Sequence, residues 1–359
     1  MNVKVVTGAN FGDEGKGMVA FSLAKDATSK NEKVLSILYN GGVQRAHTAN
    51  GQVVHCTGTG DLAGGTTYYD EHFVVDPIAL WLTETKVFIH PKCRIVVPSD
   101  VVRNRVAEIT RGANKHGSCG MGIFECVKRN KYSRWKLCAN DLNDIFSLYG
   151  KVNEMNKTFA NDVDDDIYNI DNFMRAADYV VRSCHIVELR QIVSDYDTLI
   201  FEGGQGLLLD QANLGGFPHL TPSSVGSYNI YNTINNLGAD YTDVFYVSRS
   251  YMTRHGAGPM DTECNKEDIN PSIVDTTNIK NDWQDSLRFG YINIDQLYKR
   301  IKSDFSRYNN ASLNMVFTQL NYTNGCIATG DGKRDEIVVP DFVDGLYLSD
   351  QKDIITKCL

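Results

Sequence analysis

Val5–Gly17, VVTGANFGDEGKG, is the stretch that decides how this chain is read. Val3, Val5, Val6 and Thr7 form a β-branched run suited to a buried strand. The run breaks at Gly8, passes Gly12, and reaches Gly15, Lys16 and Gly17, which open an apolar helical run, Met18–Leu23. Strand, glycine loop, lysine and helix make a phosphate cradle. Amide N–H groups at the helix start point at the anion, and the lysine adds a mobile positive charge. Asp13 and Glu14 lie inside the loop, where they repel a phosphate unless a cation such as Mg²⁺ is present or a proton is to be taken. The loop is therefore expected to be catalytic as well as binding. Its spacing excludes two familiar alternatives. A Walker loop needs glycine five residues before the Gly–Lys pair and Ser or Thr after it, but Asn10 and Gly17 stand there. The dinucleotide pattern G-x-G-x-x-G fails because the glycines fall at 8, 12, 15 and 17.

With 359 residues, the chain can form one large domain or two ordinary ones and bury a substantial core. Its 42% hydrophobic and 22% charged content is that of a globular protein, and a net charge of −8 argues against a nucleic-acid surface. The acidic run Asp162–Asp166 reads as a solvated loop or helix start rather than a metal site. Nine scattered cysteines without a CxxC pair fit free thiols in a reducing compartment. Because the first strand begins at once, no leader is expected, and no apolar run reaches the ~20 residues a bilayer requires. A soluble, cytoplasmic protein is expected.

Val34–Leu38 reads as a second strand, running into NGGVQRAHT, Asn40–Thr48. A lone histidine is ordinarily structural. His47, following a strand and the pair Gly41-Gly42, is placed to meet a bound ligand. Residues 140–195 read as mostly helical, with Phe173, Ala176, Ala177, Val180 and Val181 at packing intervals. Thr198–Glu202 is another buried strand, ending in a glycine-rich turn that carries Gln205.

NFGDEGKG resembles the WGDEGKG loop of adenylosuccinate synthetases, which join aspartate to the 6-position of a purine nucleotide at the expense of a nucleoside triphosphate. The likeness continues along most of the chain. Asn40–Thr48 is similar to the family's QGGHNAGHT, which makes His47 its general acid and sets Gln44 where the family has Asn. Ala46 falls where a glycine carbonyl binds Mg²⁺, and Arg45 is an added charge with no counterpart. Lys115–Lys128, KHGSCGMGIFECVK, resembles GTTGRGIGP, with Ser118 and Cys119 at the two positions that hold the nucleoside monophosphate. FEGGQGLLLD, Phe201–Asp210, resembles FEGAQGxLLD, whose glutamine, here Gln205, meets the purine 6-oxygen. FPHLTPSS resembles YPYVTSS and makes Thr221 a phosphate-binding hydroxyl. YMTRHGAGPMDTE, Tyr251–Glu263, resembles Y-x-TRVGAGPFPTE. Arg134, with Arg129 second, is the candidate for an arginine sent across a dimer interface to the partner's substrate.

The resemblance implies an α/β, P-loop-related fold with a mainly parallel central sheet flanked by helices. One domain over 1–359 is expected, with a helical insertion at about 140–195. It also implies a homodimer and a catalytic set of Asp13, His47, Lys16 and Gln205. Gly12, Gly15, Lys16, Gly17, Thr48, Gln319, Asn321 and Gly330 would bind the triphosphate. Asp13, Gln44, Ser118, Cys119, Arg134, Gln205 and Thr221 would bind the monophosphate, and Asp13 with the Ala46 carbonyl would hold Mg²⁺.

The chain also departs from the pattern. The family's aspartate loop TTGRRRRTGW is replaced by NDWQDSLRFGY, Asn281–Tyr291. Arg288 fits the last functional arginine, but Ser286 replaces the one that reaches both the aspartate carboxylate and the ribose 2′-hydroxyl. Losing that donor removes discrimination against deoxyribose. TKLD becomes Thr318-Gln319-Leu320-Asn321, and an amide can read adenine where the family's Asp reads guanine. Ala328–Gly332, ATGDG, still resembles STGP. Such departures mark the viral branch, which makes 2-aminoadenylosuccinate from dGMP. The expected substrates are dGMP, ATP and L-aspartate, the alternatives being IMP with GTP, or a catalytically inactive purine-nucleotide-binding protein.

Overall fold

The computed structural model describes residues 1–159, 165–274, 286–351 and 354–358. Among them ten strands form the central sheet. In chain order these are β1 (Asn2–Gly8), β2 (Val34–Leu38), β3 (Thr66–Tyr69), β4 (Phe88–Ile89), β5 (His185–Ile186), β6 (Thr198–Gly206), β7 (Thr242–Arg249), β8 (Ala311–Thr318), β9 (Gly345–Gln351) and β10 (Ile354–Lys357). Their spatial order is β10-β9-β8-β7-β1-β6-β2-β3-β4-β5, all parallel except the antiparallel β9–β10 edge pair.

Alternation along each strand feeds two layers. Val5, Leu35, Ile37, Leu199, Phe201 and Tyr246 enter one core with Leu297 and Ile301 of the helix Ile294–Phe305. Val6, Val34, Ile200, Phe245 and Val247 enter the other, against Val19, Ala20 and Leu23 of α1 (Lys16–Ser29). Both faces are covered, so the strands read as continuous apolar runs rather than alternating ones. Val5 and Val6 are fully buried and face opposite ways. The expected mainly parallel α/β sheet is observed.

Beyond β3 the chain adds α2 (Pro77–Leu82), α3 (Pro98–Arg111), α4 (Ile123–Arg129), α5 (Ile145–Phe159) and α6 (Ile170–Ser183). Asp76 starts α2, its Oδ1 accepting from Ile78 N at 3.0 Å and Ala79 N at 3.3 Å. The helical stretch expected at 140–195 contains α5 and α6. Their Leu148, Val152, Met155, Phe173, Ala176 and Val180 pack with Tyr69, Phe73 and Ile89 at the sheet edge. Val181, expected to pack with them, is exposed on the outer face of α6. Residues 162–164 of the acidic run and 281–285 of the departed aspartate loop lie outside the described residues. Among the described residues no helix is long and apolar enough to cross a membrane.

Candidate active site

The carboxyl ends of β1, β2, β6, β7 and β8 lie along one rim of the sheet, where open parallel α/β sheets place ligands. The loop after β1 is built as a cradle. Gly15 takes φ 94° before α1, and no side chain caps that helix, so its first amides are left for an anion. Arg300 fixes the loop from below, donating from Nε to the Ala9 carbonyl at 2.6 Å and from a second nitrogen to Asn10 Oδ1. Asn10 Nδ2 donates to Ser248 Oγ at 2.9 Å, and Thr318 Oγ1 donates to the Glu14 carbonyl at 2.8 Å.

The two loop acids divide their work. Glu14 is buried beneath the loop, accepting from Asn10 N and paired with Lys16 Nζ at 3.3 Å. Burial pushes its carboxyl above the usual range, against the pull of Lys16. A Cβ on Gly8 would lie 1.9 Å from Glu14 Oε2, so this arrangement requires glycine there. Asp13, at φ 57°, instead turns its carboxylate toward the cavity, with Oδ2 3.6 Å from His255 Nε2. Its carbonyl accepts from Arg249.

His47 is held by a buried triad. Its Nδ1 lies 2.5 Å from Glu202 Oε1, and Arg45 Nη2 reaches the same oxygen at 2.5 Å. Thr59 donates to the other oxygen, Oε2, from N at 2.8 Å and Oγ1 at 3.2 Å. Burial would raise the Glu202 carboxyl, but Arg45 and His47 outweigh it and hold it below its ordinary value. Burial, then the Arg45 charge, pushes His47 down to about 4. The shorter contact, to the carboxylate, favours the ring proton on Nδ1 over the Arg45 Nη2 contact at 2.8 Å to the same nitrogen, and Nε2 then presents a lone pair near neutral pH. His47 is thus a neutral imidazole that must gain a proton before it can act as an acid. Arg45, unplaced by the sequence, neutralises Glu202. Glu202 sits inside a motif the sequence singled out, yet only the folded contact between its Oε1 and His47 Nδ1 shows that it meets His47.

A cavity of about 860 Å³ runs along this rim. Gly12, Asp13, Gly15, Lys16 and Gly17 line it from the first loop, and Gln44, Ala46, His47 and Thr48 from the second. Ser118, Cys119, Gln205, Thr221, Gln319 and Asn321 line it as well. The side-chain oxygens of Gln44 and Gln205 are buried without protein partners, as expected of groups that meet a ligand. His116, His219 and His255 also line the cavity, though no spacing rule pointed to them.

Other expected residues stand outside the lining. Arg134 is exposed, paired with Glu154 and stacked 4.6 Å from the Trp135 ring. Arg129 is buried, its Nη2 2.8 Å from Asp100 Oδ2, and serves the core rather than a surface. Arg288 pairs with Glu263 and donates to the Gly256 and Gly258 carbonyls at 3.0 and 2.9 Å, so its donors hold the 254–258 turn. Ser286 is exposed, and Gly330 lies in the hairpin of Ile327–Gly330 with Lys333–Asp335.

A family model for adenylosuccinate synthetase matches residues 5–288. The chain belongs to the adenylosuccinate synthetase family. Its relatives include the adenylosuccinate synthetase of Buchnera aphidicola subsp. Baizongia pistaciae, 29% identical over 291 residues, covering 72% of this chain and 65% of that protein. That of Clostridium perfringens is 25% identical over 297 residues, covering 74% and 67%. The chain thus spans about two thirds of the length of these curated relatives. Among solved structures, a fully ligated adenylosuccinate synthetase from Plasmodium falciparum matches 90% of this chain and 78% of its own, with a TM-score of 0.70 at 18% identity. The cyanophage S-2L succinoaminodeoxyadenylate synthetase, bound to dGMP and dATP as an energy donor, matches 89% and 85%, with a TM-score of 0.59 at 15% identity. At these identities the two structures establish the adenylosuccinate synthetase fold.

Proposed function

We propose that this protein is a C–N ligase that joins L-aspartate to C6 of a 6-oxopurine nucleoside monophosphate through a 6-phosphoryl intermediate. The observation that carries the proposal is the meeting of Asp13, Lys16, His47 and Gln205 around one cavity. In this reading Asp13 takes the N1 proton of the purine and negative charge passes to the 6-oxygen. The Gln205 amide donates to that oxygen. The oxygen attacks the γ-phosphorus of the triphosphate, and the O–P bond forms as the nucleoside diphosphate leaves. The uncapped start of α1 and Lys16 stabilise the transferring phosphoryl group. The aspartate amine then attacks C6, expels inorganic phosphate and loses its proton.

Mg²⁺ fits this donor set. No three metal-ligating side chains gather among the described residues, but a single carboxylate plus substrate phosphates is how Mg²⁺ is commonly held. Asp13 and the Ala46 carbonyl would hold it, and it would supply charge neutralisation at the transferring phosphate.

The proposed substrates are dGMP, ATP and L-aspartate, the product being N6-succinyl-2-amino-2′-deoxyadenylate. Three features support this choice: Ser286 in place of an arginine, Asn321 in the lining of the cavity, and the cyanophage enzyme with dGMP and dATP among the fold's neighbours. Asp13 in the first loop, where the WGDEGKG loop of adenylosuccinate synthetases also carries its Asp, favours the second reading, IMP with GTP. A homodimer acting in the cytoplasm completes the proposal, with Arg134 on the exposed face able to meet a partner.

The test is incubation with Mg²⁺, aspartate and each of IMP, dIMP, GMP and dGMP, with ATP and GTP in turn, followed by mass spectrometry. Succinylated dGMP formed with ATP is expected. Turnover of IMP alone would return the chain to the ordinary substrate, and no succinylated nucleotide in any mixture would overturn the ligase reading.

A further inference from the structure

His116 and His219 line the cavity but have no part in the chemistry above. They come from two loops that meet the Arg254–Gly258 turn at close quarters. Ala257 N donates to the His116 carbonyl at 3.2 Å, and Arg254 donates to the His219 carbonyl at 3.1 Å. A Cβ on Gly117 would stand 2.9 Å from Gly256 Cα, and one on Gly258 2.6 Å from His219 Cβ, so only glycines allow the approach. The two imidazoles end 5.0 Å apart, edge to face. Ser118 and Thr221, each two residues further along its loop, line the same cavity. His219 Nδ1 is buried with no partner.

We propose that His116 and His219 form a paired imidazole subsite for the phosphate of the nucleoside monophosphate, each ring able to take up a proton as the dianion enters. The proposal rests on the nucleotide reading above, in which Ser118 and Thr221 face that phosphate. The charged surroundings suit it. Burial, then Arg111, depresses His116, with Glu108 opposing. Burial, then His116, Arg254 and Arg288, depresses His219, again with Glu108 opposing. Glu108 is already occupied, since its Oε2 accepts from His116 N at 2.9 Å and Gly117 N at 3.1 Å, and its Oε1 from Arg111 at 2.7 Å. The rings are therefore neutral in the free protein near neutral pH, and a dianion beside them shifts both toward the charged form. Binding then consumes protons and strengthens as pH falls, by up to ~tenfold per pH unit for each proton taken up.

The test is calorimetric titration of wild type and the His116→Gln/His219→Gln variant between about pH 6.5 and about pH 8.5, a window above the ordinary histidine range. The ligands are dGMP, IMP, their nucleosides, and sulfate, which stays dianionic throughout. The two single variants guard against misfolding of the double one. Expected are monophosphate and sulfate affinities at least ~tenfold tighter at the lower pH with proton uptake, flattened in the double variant, and nucleoside affinity unchanged by the substitutions. The same pH dependence in the double variant would overturn the subsite and leave the nucleotide reading intact. Sulfate bound with proton uptake but no purine nucleotide bound would overturn the nucleotide reading and keep the anion site. Binding of neither would overturn both.

Discussion

His255 Nε2 stands 3.6 Å from Asp13 Oδ2, and both residues line the cavity between the first loop and the 254–258 turn. The contact is within ion-pair range but too long for a hydrogen bond, so His255 is a neighbour to the Asp13 carboxylate rather than its anchor. Asp13 occupies the left-handed region, which Asn also tolerates. Asp13→Asn is therefore expected to lower kcat by at least ~1000-fold while leaving the thermal midpoint within about 2 °C of wild type. His255→Val is expected to cost about tenfold or less. Steady-state rates and a melting curve check both. A near-normal rate for Asp13→Asn would remove that carboxylate from the chemistry.

Glu202 carries one cation, Arg45, and the neutral His47 imidazole on one oxygen in a site shielded from water. Glu202→Gln leaves Arg45 as an uncompensated buried charge, so a stability loss of about 3–5 kcal/mol is expected. Arg45→Met in the same background should recover part of it, because the two losses share one interaction. Chemical denaturation of the single and double variants measures the coupling. Strict additivity would contradict the triad.

The first loop and β2 were legible because glycine spacing and β-branched runs are local signals. The helix after the loop begins at Lys16, as the Gly15-Lys16-Gly17 signal implies. The β6 strand runs four residues past the expected Glu202, through EGGQG, because β1 keeps pairing with it as far as Gly206. Glu14 and Asp13 look equivalent in sequence. Only the fold shows that the absent Cβ of Gly8 makes room for one of them beneath the loop. Arg288 was read as a ligand residue from its place in a motif, but three of its hydrogen-bond acceptors come from segments 25–32 residues distant, which no local pattern encodes. The histidine pair was invisible for the same reason, since His116 and His219 meet only through tertiary packing.

Gly17→Ala sets two effects against each other. Helix propensity favours alanine by about 1 kcal/mol. However, the new methyl would lie 2.7 Å from His47 Cβ and 2.9 Å from Thr59 Cγ2, both fixed by the Glu202 network. Overpacking of about 1–3 kcal/mol should win, giving net destabilisation and a displaced His47. Denaturant midpoints and turnover together decide it, and a stabilised, fully active variant would contradict the rigidity assigned to the site.

Asp61 supplies a pH test remote from the chemistry. Burial pushes its carboxyl up to about 7, although Thr67 Oγ1 donates to it at 2.7 Å. The unfolded chain ionises this group near the ordinary value of about 3.9, so between there and about 7 the folded protein holds the extra proton. Stability from this group is full at low pH and is lost as pH rises to about 7. Asp61→Asn keeps an acceptor for Thr67 and should raise stability by about 1–3 kcal/mol near pH 8, with no gain near pH 4. Urea unfolding at the two pH values checks the sign.

The ligase reading requires the purine 6-oxygen to leave as part of phosphate. The direct measurement is turnover of a monophosphate labelled with ¹⁸O at position 6, with aspartate, triphosphate and Mg²⁺, followed by mass spectrometry of both products. The expected result is one ¹⁸O in the inorganic phosphate and none in the succinylated nucleotide. Label retained on the purine, or phosphate released unlabelled and without aspartate, would contradict the account.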